Sequence, residues 1–183
     1  VARKSPLKEP ASKKKYHLYK GGRILVTRTV LLTLLLFHFQ GCTSSPSADF
    51  YSVEIGGEMF SLELNLDKTT RTNGMMHRTS FTPHGGMLFV FPDASIRSFW
   101  MKNCFVDIDL IFLDSRGTIT TLYQMPLEPP QGQEESDWEY ESRLNHYYSN
   151  GPIRFAIELE SGSIDRLRLR VNQRIPLDLP YLR

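Results

Sequence analysis

The sequence predicts a mainly β protein, an antiparallel β sandwich or flattened barrel with one or two short helices. Apolar residues fall into short runs bounded by Gly, Pro, Asn and Asp, which is the pattern of strands and turns. The connections between the central runs are too short to hold crossover helices. With 183 residues, 40% of them hydrophobic, the chain has room for one such domain behind an N-terminal extension.

The first two strands are predicted to form a β-hairpin. Residues 51–55 and 59–64 both alternate apolar with polar side chains. Gly56 and Gly57 lie between them, and a Gly-Gly pair between two alternating runs is typical of a two-residue hairpin turn.

A short helix is predicted next, because residues 67–73 lack strand alternation. Asp67 is a suitable N-cap and Gly74 a suitable end. We expect Met75 and Met76 to pack beneath this helix, and residues 79–84 to form a loop.

The centre of the chain predicts a meander of neighbouring strands. Residues 87–92 and 96–103 are strand-like and only three residues separate them, so we expect antiparallel neighbours. A third run covers 106–113, a turn covers 114–117 and a fourth run covers 118–123. Hairpin-linked strands in this order predict a meander, not a βαβ unit.

The last third is predicted to begin with a long, mobile, acidic surface loop near 126–151. A strand is expected over 152–159, one helical turn over 163–167, and closing strands over 168–177 around a turn at Asn172 and Gln173. The predicted organisation is therefore an extension over 1–41, a tether over 42–50 and a single β-rich domain over 51–183.

The extension has the form of a secretory signal. Basic residues are followed by an apolar run over 30–39, which is too short to cross a membrane. Gly41 and Cys42 come next, and a polar tether follows, an order that resembles a bacterial lipoprotein signal. We expect export and a lipid anchor on Cys42, which places the domain in the cell envelope or periplasm. An ordinary secreted protein with an incidental Cys42 is the alternative, and a start near Val26 would shorten the signal.

The charge distribution argues against nucleic acid as a partner. Residues 1–28 hold nine of the 22 basic residues and one of the 20 acids, which leaves 13 basic residues against 19 acids in the remainder. A body with a net charge of −6 lacks the clustered cations that neutralise phosphates. If Cys42 carries lipid, Cys104 has no disulfide partner, and we expect it to be a small buried side chain.

Several motifs together resemble one protein family. They are Gly74-Met75-Met76-His77-Arg78, the run from Gly86 to Phe91, the run from Phe99 to Asn103, the run from Ile108 to Leu113, and the run from Gly151 to Leu159 with Gly162. This set is similar to domain-of-unknown-function family 192 over residues 53–178. The resemblance implies a compact, often exported, β-rich fold with no established activity. Met75 and Cys104 stand where the family usually has Leu and Thr, and the acidic insertion over 130–141 is longer than usual.

Four polar residues inside these motifs are the candidate ligand-binding site: Arg78, Lys102, Asn103 and Asp109. Arg78 and Lys102 would hold an anionic group and Asp109 would orient it. The structural alternative is an ion pair between Arg78 and Asp109, with Asn103 satisfying a turn. Strand alternation would place Lys102 on the face opposite Met101 and Asn103.

The sequence predicts no catalytic residue, metal site or cofactor. It has no Gly-X-Ser-X-Gly elbow and no phosphate-binding glycine loop. His and Met residues that would suit Cu(I) lack ligand spacing. Asp107 and Asp109 share one side of a strand, and we interpret them as a solvated strand end instead of an acid/base pair.

Two functions remain open. The first is an envelope accessory module that binds a small ligand, or that binds a protein or carbohydrate through the acidic loop with Trp138 and Tyr140. The second is an extracytoplasmic enzyme that uses Arg78, Lys102 and Asp109.

Overall fold

The structure is a computed structural model that describes residues 49–182. The predictions for the signal segment and Cys42 lie outside these residues. The strands are β1 (Phe50–Ile55), β2 (Glu58–Asn65), β3 (Gly85–Ser95), β4 (Ser98–Phe99), β5 (Ile108–Leu113), β6 (Ile119–Met125), β7 (Tyr147–Tyr148) and β8 (Ile153–Glu160). The described helices are α1 (Lys68–Asn73), α2 (Asp137–Arg143) and α3 (Ser163–Arg166).

Six of the strands form one open sheet in the order β1-β2-β3-β8-β5-β6. The pairs are antiparallel except β2 with β3, which run parallel, so the sheet is mixed. Strands β4 and β7 form a separate two-stranded sheet. The predicted mainly β class with short helices is confirmed, and the sheet does not close into a barrel.

The three central strands, β3, β8 and β5, are buried on both faces. Side chains alternate between two hydrophobic clusters: Leu88, Ile157 and Ile111 contribute to one cluster, and Phe89 and Ala156 to the other. Burial on both faces explains why these strands read as continuous apolar runs with little alternation. We call the face that carries Phe89 and Ala156 the cavity face.

The N-terminal predictions are confirmed at the level of turns and caps. Gly56 and Gly57 connect β1 and β2 with φ values of 61° and 86°, a conformation that glycine adopts without strain. Asp67 caps α1, because its side chain accepts a hydrogen bond of 3.0 Å from the Thr70 amide. The helix ends at Gly74, as predicted.

The prediction of two antiparallel neighbours over 87–92 and 96–103 is wrong. Strand β3 continues through Ser95, and the following β4 has only two residues and pairs with β7. The chain turns at Lys102 and Asn103, where Asn103 has a φ of 53°. A left-handed residue interrupts the alternation of side chains, so the predicted faces of Lys102 and Asn103 do not apply.

The meander is wrong as well. Strand β8, far along the chain, inserts between β3 and β5. Among the predicted central strands, only β5 and β6 form a hairpin. Residues 168–177 form turns and one isolated bridge, Thr118 with Arg174, instead of closing strands. Local patterns do not specify such long-range pairings.

The segment over 126–151 contains regular structure that the prediction of a loop did not include. Ser136 and Glu139 form a reciprocal capping box at the start of α2. Strand β7 follows within the same segment. None of the helices within residues 49–182 has the length and hydropathy needed to cross a membrane.

Candidate functional site

A cavity of about 500 Å³ lies on the cavity face of the sheet. It is lined by one side of α1 and the turn after it, by β3, by the chain from 97 to 104, and by one residue of β8. Lys68, Arg71 and Thr72 all line it, since residues three and four apart share one side of a helix. A concave site of this size with apolar walls is typical of small-molecule binding.

The residue from β8 is Glu158, whose side chain is only 4% exposed. Its Oε2 atom has no hydrogen-bond partner within the described residues. Burial raises the pKa of the Glu158 carboxyl to about 8, and the nearby Arg78 charge opposes this rise only in part. At neutral pH the carboxyl is therefore mostly protonated and can donate a hydrogen bond.

Gly74 is required where the chain passes over this carboxyl. Its φ is 44°, and a Cβ atom there would lie 3.4 Å from the Phe89 ring and 3.7 Å from Glu158 Oε2. Any larger side chain would be strained and would enter the space beside the carboxyl. The glycine that ends α1 thus also leaves Glu158 accessible from the cavity.

The walls are aromatic. The Phe99 ring lies edge-on to Phe89 and Phe91, with centroid separations of 5.0 and 6.4 Å. Trp100 also lines the cavity, and its ring centroid lies 5.4 Å from that of His146. Such edge-to-face packing holds ring positions and leaves an apolar surface for a ligand.

Basic side chains also line the cavity. Arg97 and Arg71 lie over the Phe91 ring, with their guanidinium carbons 4.5 and 5.4 Å from its centroid. The Lys102 Nζ atom lies 5.8 Å from the centroid of the Trp100 ring. Among the described lining residues, four are basic with Lys68 included, and Glu158 is the single acid. Asp93 and Glu141 pair with Arg97 and Lys102, but the basic side chains still outnumber the ionised acids because Glu158 is mostly protonated, so the cavity has a positive electrostatic character.

Cys104 lines the same cavity. Burial and, second to it, the charge of Glu158 raise the pKa of the Cys104 thiol to about 12. A thiol with so high a pKa is a poor nucleophile, because the thiolate is the reactive form. The structure therefore makes Cys104 part of the cavity wall, half-buried as a small apolar side chain.

Of the four predicted site residues, Lys102 lines the cavity. Its ammonium group forms an ion pair with Glu141 of α2. Arg78 lies in the turn region after α1 and makes two hydrogen bonds, of 2.7 and 2.8 Å, to the Glu63 carboxylate. Arg78 is not a lining residue, although its charge reaches Glu158.

Asn103 and Asp109 have structural contacts elsewhere. The Asn103 amide donates to the Tyr140 hydroxyl at 3.0 Å, and its carbonyl accepts from His77. Asp109 is fully buried, and its Oδ2 accepts a 2.7 Å hydrogen bond from the Ile164 amide. Strand alternation puts Asp109 on the face opposite the cavity, with Ile111.

Two structural alternatives from the sequence are therefore wrong. Arg78 pairs with Glu63 and not with Asp109. Asp109 is not part of a solvated strand end, although Asp107 is exposed and accepts from the Leu127 amide at 2.7 Å. Burial raises the pKa of Asp109 despite the hydrogen bonds from the amides of residues 162–164.

The two aromatic residues predicted to bind a partner differ in exposure. Trp138 is 76% exposed, whereas Tyr140 is 1% exposed. Tyr140 packs under Arg143, whose guanidinium carbon lies 4.8 Å from the ring centroid. Tyr140 is thus a structural residue that supports the turn at Asn103, and only Trp138 presents a free ring.

No group of three or more His, Cys, Asp or Glu side chains suited to a metal ion occurs in the described part of the chain. The sequence interpretation did not single out Glu158, Arg71 or Arg97. A signal for Glu158 was present, because a lone acid within the apolar run of residues 153–159 is unusual for a buried strand.

Comparison with known proteins gives a family match and two similar solved structures. A model of DUF192, described as "Uncharacterized ACR", matches residues 51–177. A "putative transcription regulator" from Sinorhizobium meliloti 1021 is 26% identical with a TM-score of 0.59, and the match covers 72% of this chain and 95% of that one. A protein of unknown function from Novosphingobium aromaticivorans DSM 12444 is 19% identical with a TM-score of 0.59, covering 73% and 89%. No curated protein matches the chain.

Proposed function

We propose that the domain of this chain, which belongs to DUF192, is a small-ligand-binding module of the cell envelope, without catalytic activity of its own. The observation that carries the proposal is the cavity with the buried, unpartnered Glu158 carboxyl. A buried polar group without a partner is costly in a folded protein, and a ligand that hydrogen-bonds to it offsets that cost.

The family-like motifs support the same site. Gly74 to Met76, Phe89 and Phe91, Phe99 to Lys102, and Glu158 come from four separate motifs of the sequence, and each motif contributes lining residues to the one cavity. Motifs that are distant in the chain and converge on one concave surface favour a binding role over packing alone.

An enzyme that uses Arg78, Lys102 and Asp109 has less support. Asp109 lies on the face of the sheet opposite the cavity, and Arg78 is held by Glu63. The high pKa of Cys104 argues against nucleophilic catalysis at the cavity. We therefore base no reaction on these residues.

The name of the S. meliloti protein suggests regulation of transcription for that protein. Direct DNA binding by this chain has little support, because residues 29–183 carry an excess of six acids. A second binding surface around the exposed Trp138 remains part of the proposal for protein or carbohydrate partners.

Ligand binding is tested through Trp100, which lines the cavity. The chain has two tryptophans, so Trp138→Phe leaves Trp100 as the single reporter. We expect its emission to change on titration with members of a library of small aromatic compounds. Cys104→Phe, which places a ring inside the cavity, should reduce the change strongly, whereas Thr69→Phe on α1, which is not a lining residue, should preserve it. The proposal is contradicted if no compound of the library changes the Trp100 emission, or if Cys104→Phe leaves the change in emission unaffected.

The envelope location is a separate part of the proposal, and it is supported by the order of basic residues, apolar run, Gly41 and Cys42. Mass spectrometry of the mature protein tests it. We expect an N-terminal Cys42 that carries lipid, and an unmodified Cys42 or a mature chain that begins before it would contradict the anchor.

A further inference from the structure

We infer that the ligand of this cavity is a small aromatic or otherwise apolar acid, whose anionic group is held by the basic side chains of the cavity wall and by a hydrogen bond from the Glu158 carboxyl. The inference rests on the proposed function, because it names the chemical class of ligand for the same cavity. The alternative interpretation is that the buried Glu158 is ionised and acts as the counter-charge for a cationic ligand.

The balance of charge supports an acid. Arg71, Arg97 and Lys102 line the cavity with Lys68, against one acid among the described lining residues. Asp93, at 2.8 Å, and Glu141 lie outside the lining and pair with Arg97 and Lys102, which orients these two cations but compensates part of their charge. Arg71 and Lys68 have no carboxylate partner among the described residues, so the lining keeps an excess of positive charge. Cations whose side chains are fixed in this way lose little rotamer freedom when an anion binds.

The surroundings of Glu158 determine which form of its carboxyl meets the ligand. The charged and titratable groups that act on it are Arg78 and Cys104. Arg78 shares its guanidinium with Glu63 through two hydrogen bonds, so it does not pair with Glu158. Cys104 stays a neutral thiol. A carboxyl without a partner in an apolar site is most stable as the protonated acid, which donates a hydrogen bond to an oxygen acceptor.

The apolar body of the ligand has matching walls. Phe89, Phe99 and Trp100 line the cavity together with the basic side chains and Glu158. A ring placed there would make aromatic contacts of the kind already present between Phe99 and Phe89. The cavity volume of about 500 Å³ is within the range for small organic ligands.

Three matched probes separate an acid from a base: 3-phenylpropionate, 3-phenylpropionamide and 3-phenylpropylammonium. Calorimetric titration of the full chain is done at about pH 6, below the Glu158 pKa of about 8. We expect the acid to bind at least about tenfold more tightly than the ammonium probe, with the amide between them.

Variants assign the preference to residues. Lys102→Gln and Arg97→Gln should each weaken the binding of 3-phenylpropionate by about fivefold to tenfold. Each should leave the affinity for 3-phenylpropionamide within about twofold of the wild-type value. Arg116→Gln removes an exposed charge outside the cavity and is the matched control. At about pH 9, where Glu158 ionises, the acid should bind about tenfold more weakly, and Glu158→Gln should remove that pH dependence.

Tighter binding of the ammonium probe, lost in Glu158→Gln, would overturn this inference and leave the proposed function standing. Equal affinity for all three probes, unaffected by Lys102→Gln and Arg97→Gln, would also overturn the inference about the ligand class and leave the proposed function standing. If none of the three probes binds and Trp100 shows no response to the wider library, the proposed function fails together with the inference.

Discussion

Glu158 and Cys104 line one cavity, and the carboxylate charge of Glu158 adds to burial in raising the pKa of the Cys104 thiol to about 12. The two residues come from β8 and from the chain between β4 and β5. Both groups are therefore neutral near pH 7, and ionising Glu158 makes ionising Cys104 harder. The protonation state of the Glu158 carboxyl can therefore be measured both from the pH dependence of unfolding and from the reactivity of the Cys104 thiol.

Glu158 should make the stability of the domain depend on pH. Its pKa rises from 4.5 unfolded to about 8 folded, so the folded state holds a proton that the unfolded state releases. The stabilising contribution of Glu158 is then fully present below about pH 4.5 and is lost as the pH rises towards 8. Relative to Glu158→Gln, the wild-type free energy of unfolding should fall by on the order of 4 kcal/mol over this range.

Urea unfolding at a series of pH values measures this difference. Glu160→Gln is the matched control, because Glu160 is the exposed acid at the end of the same strand. Parallel pH profiles for the wild type and Glu158→Gln would show that Glu158 does not have a raised pKa.

Alkylation of Cys104 reports the same charge. In a Cys42→Ala background at about pH 9, Glu158→Gln should accelerate reaction with iodoacetamide by about twofold to fivefold, because loss of the negative charge lowers the thiol pKa and more thiolate forms. The rate follows from mass spectrometry of quenched samples. An equal or slower rate than in wild type, with Glu160→Gln unchanged, would contradict the coupling.

Asp109 should be a stability residue. It is fully buried and accepts the Ile164 amide at 2.7 Å. Asp109→Ala should cost about 2–4 kcal/mol in the free energy of unfolding, because it leaves buried amides unpaired. Asp109→Asn keeps an acceptor oxygen and should cost less. Neither should change the Trp100 response once the protein is folded, and lost binding at unchanged stability would restore the functional interpretation of Asp109.

Tyr140 should stabilise the turn that carries Lys102. Its hydroxyl accepts the Asn103 amide, and Asn103 has the left-handed conformation. Tyr140→Phe should lower the free energy of unfolding by about 1–2 kcal/mol. Tyr148→Phe is the matched control, since Tyr148 is 56% exposed and should be near neutral. Equal thermal shifts for the two variants would contradict this role.

Removal of residues 131–141 should affect the fold as well as the surface around Trp138. The deletion would remove Tyr140 and Glu141, which contact Asn103 and Lys102. We therefore expect a destabilised domain as well as lost partner binding, whereas Trp138→Ala tests the exposed surface without disturbing the fold. Circular dichroism and thermal melting distinguish the two effects.

Local features of the fold were predictable because their causes are local. The Gly56-Gly57 hairpin, the Asp67 cap and the end of α1 at Gly74 depend on residues within a few positions of one another. The hairpin of β5 and β6 belongs to the same group. For these elements the spacing of apolar residues, the capping residues and the turn residues all indicated the same structure.

The sequence by itself determined the mainly β class, the short elements and the family motifs, including Lys102 of the cavity. Only the tertiary structure decided which strands pair and which polar residues meet. The insertion of β8 between β3 and β5 brings Glu158 to Phe89 and Gly74 and leaves Asp109 on the other face. The physical reason is that pairing across long sequence separations depends on how two buried faces pack together, and a shift of one residue would exchange the faces.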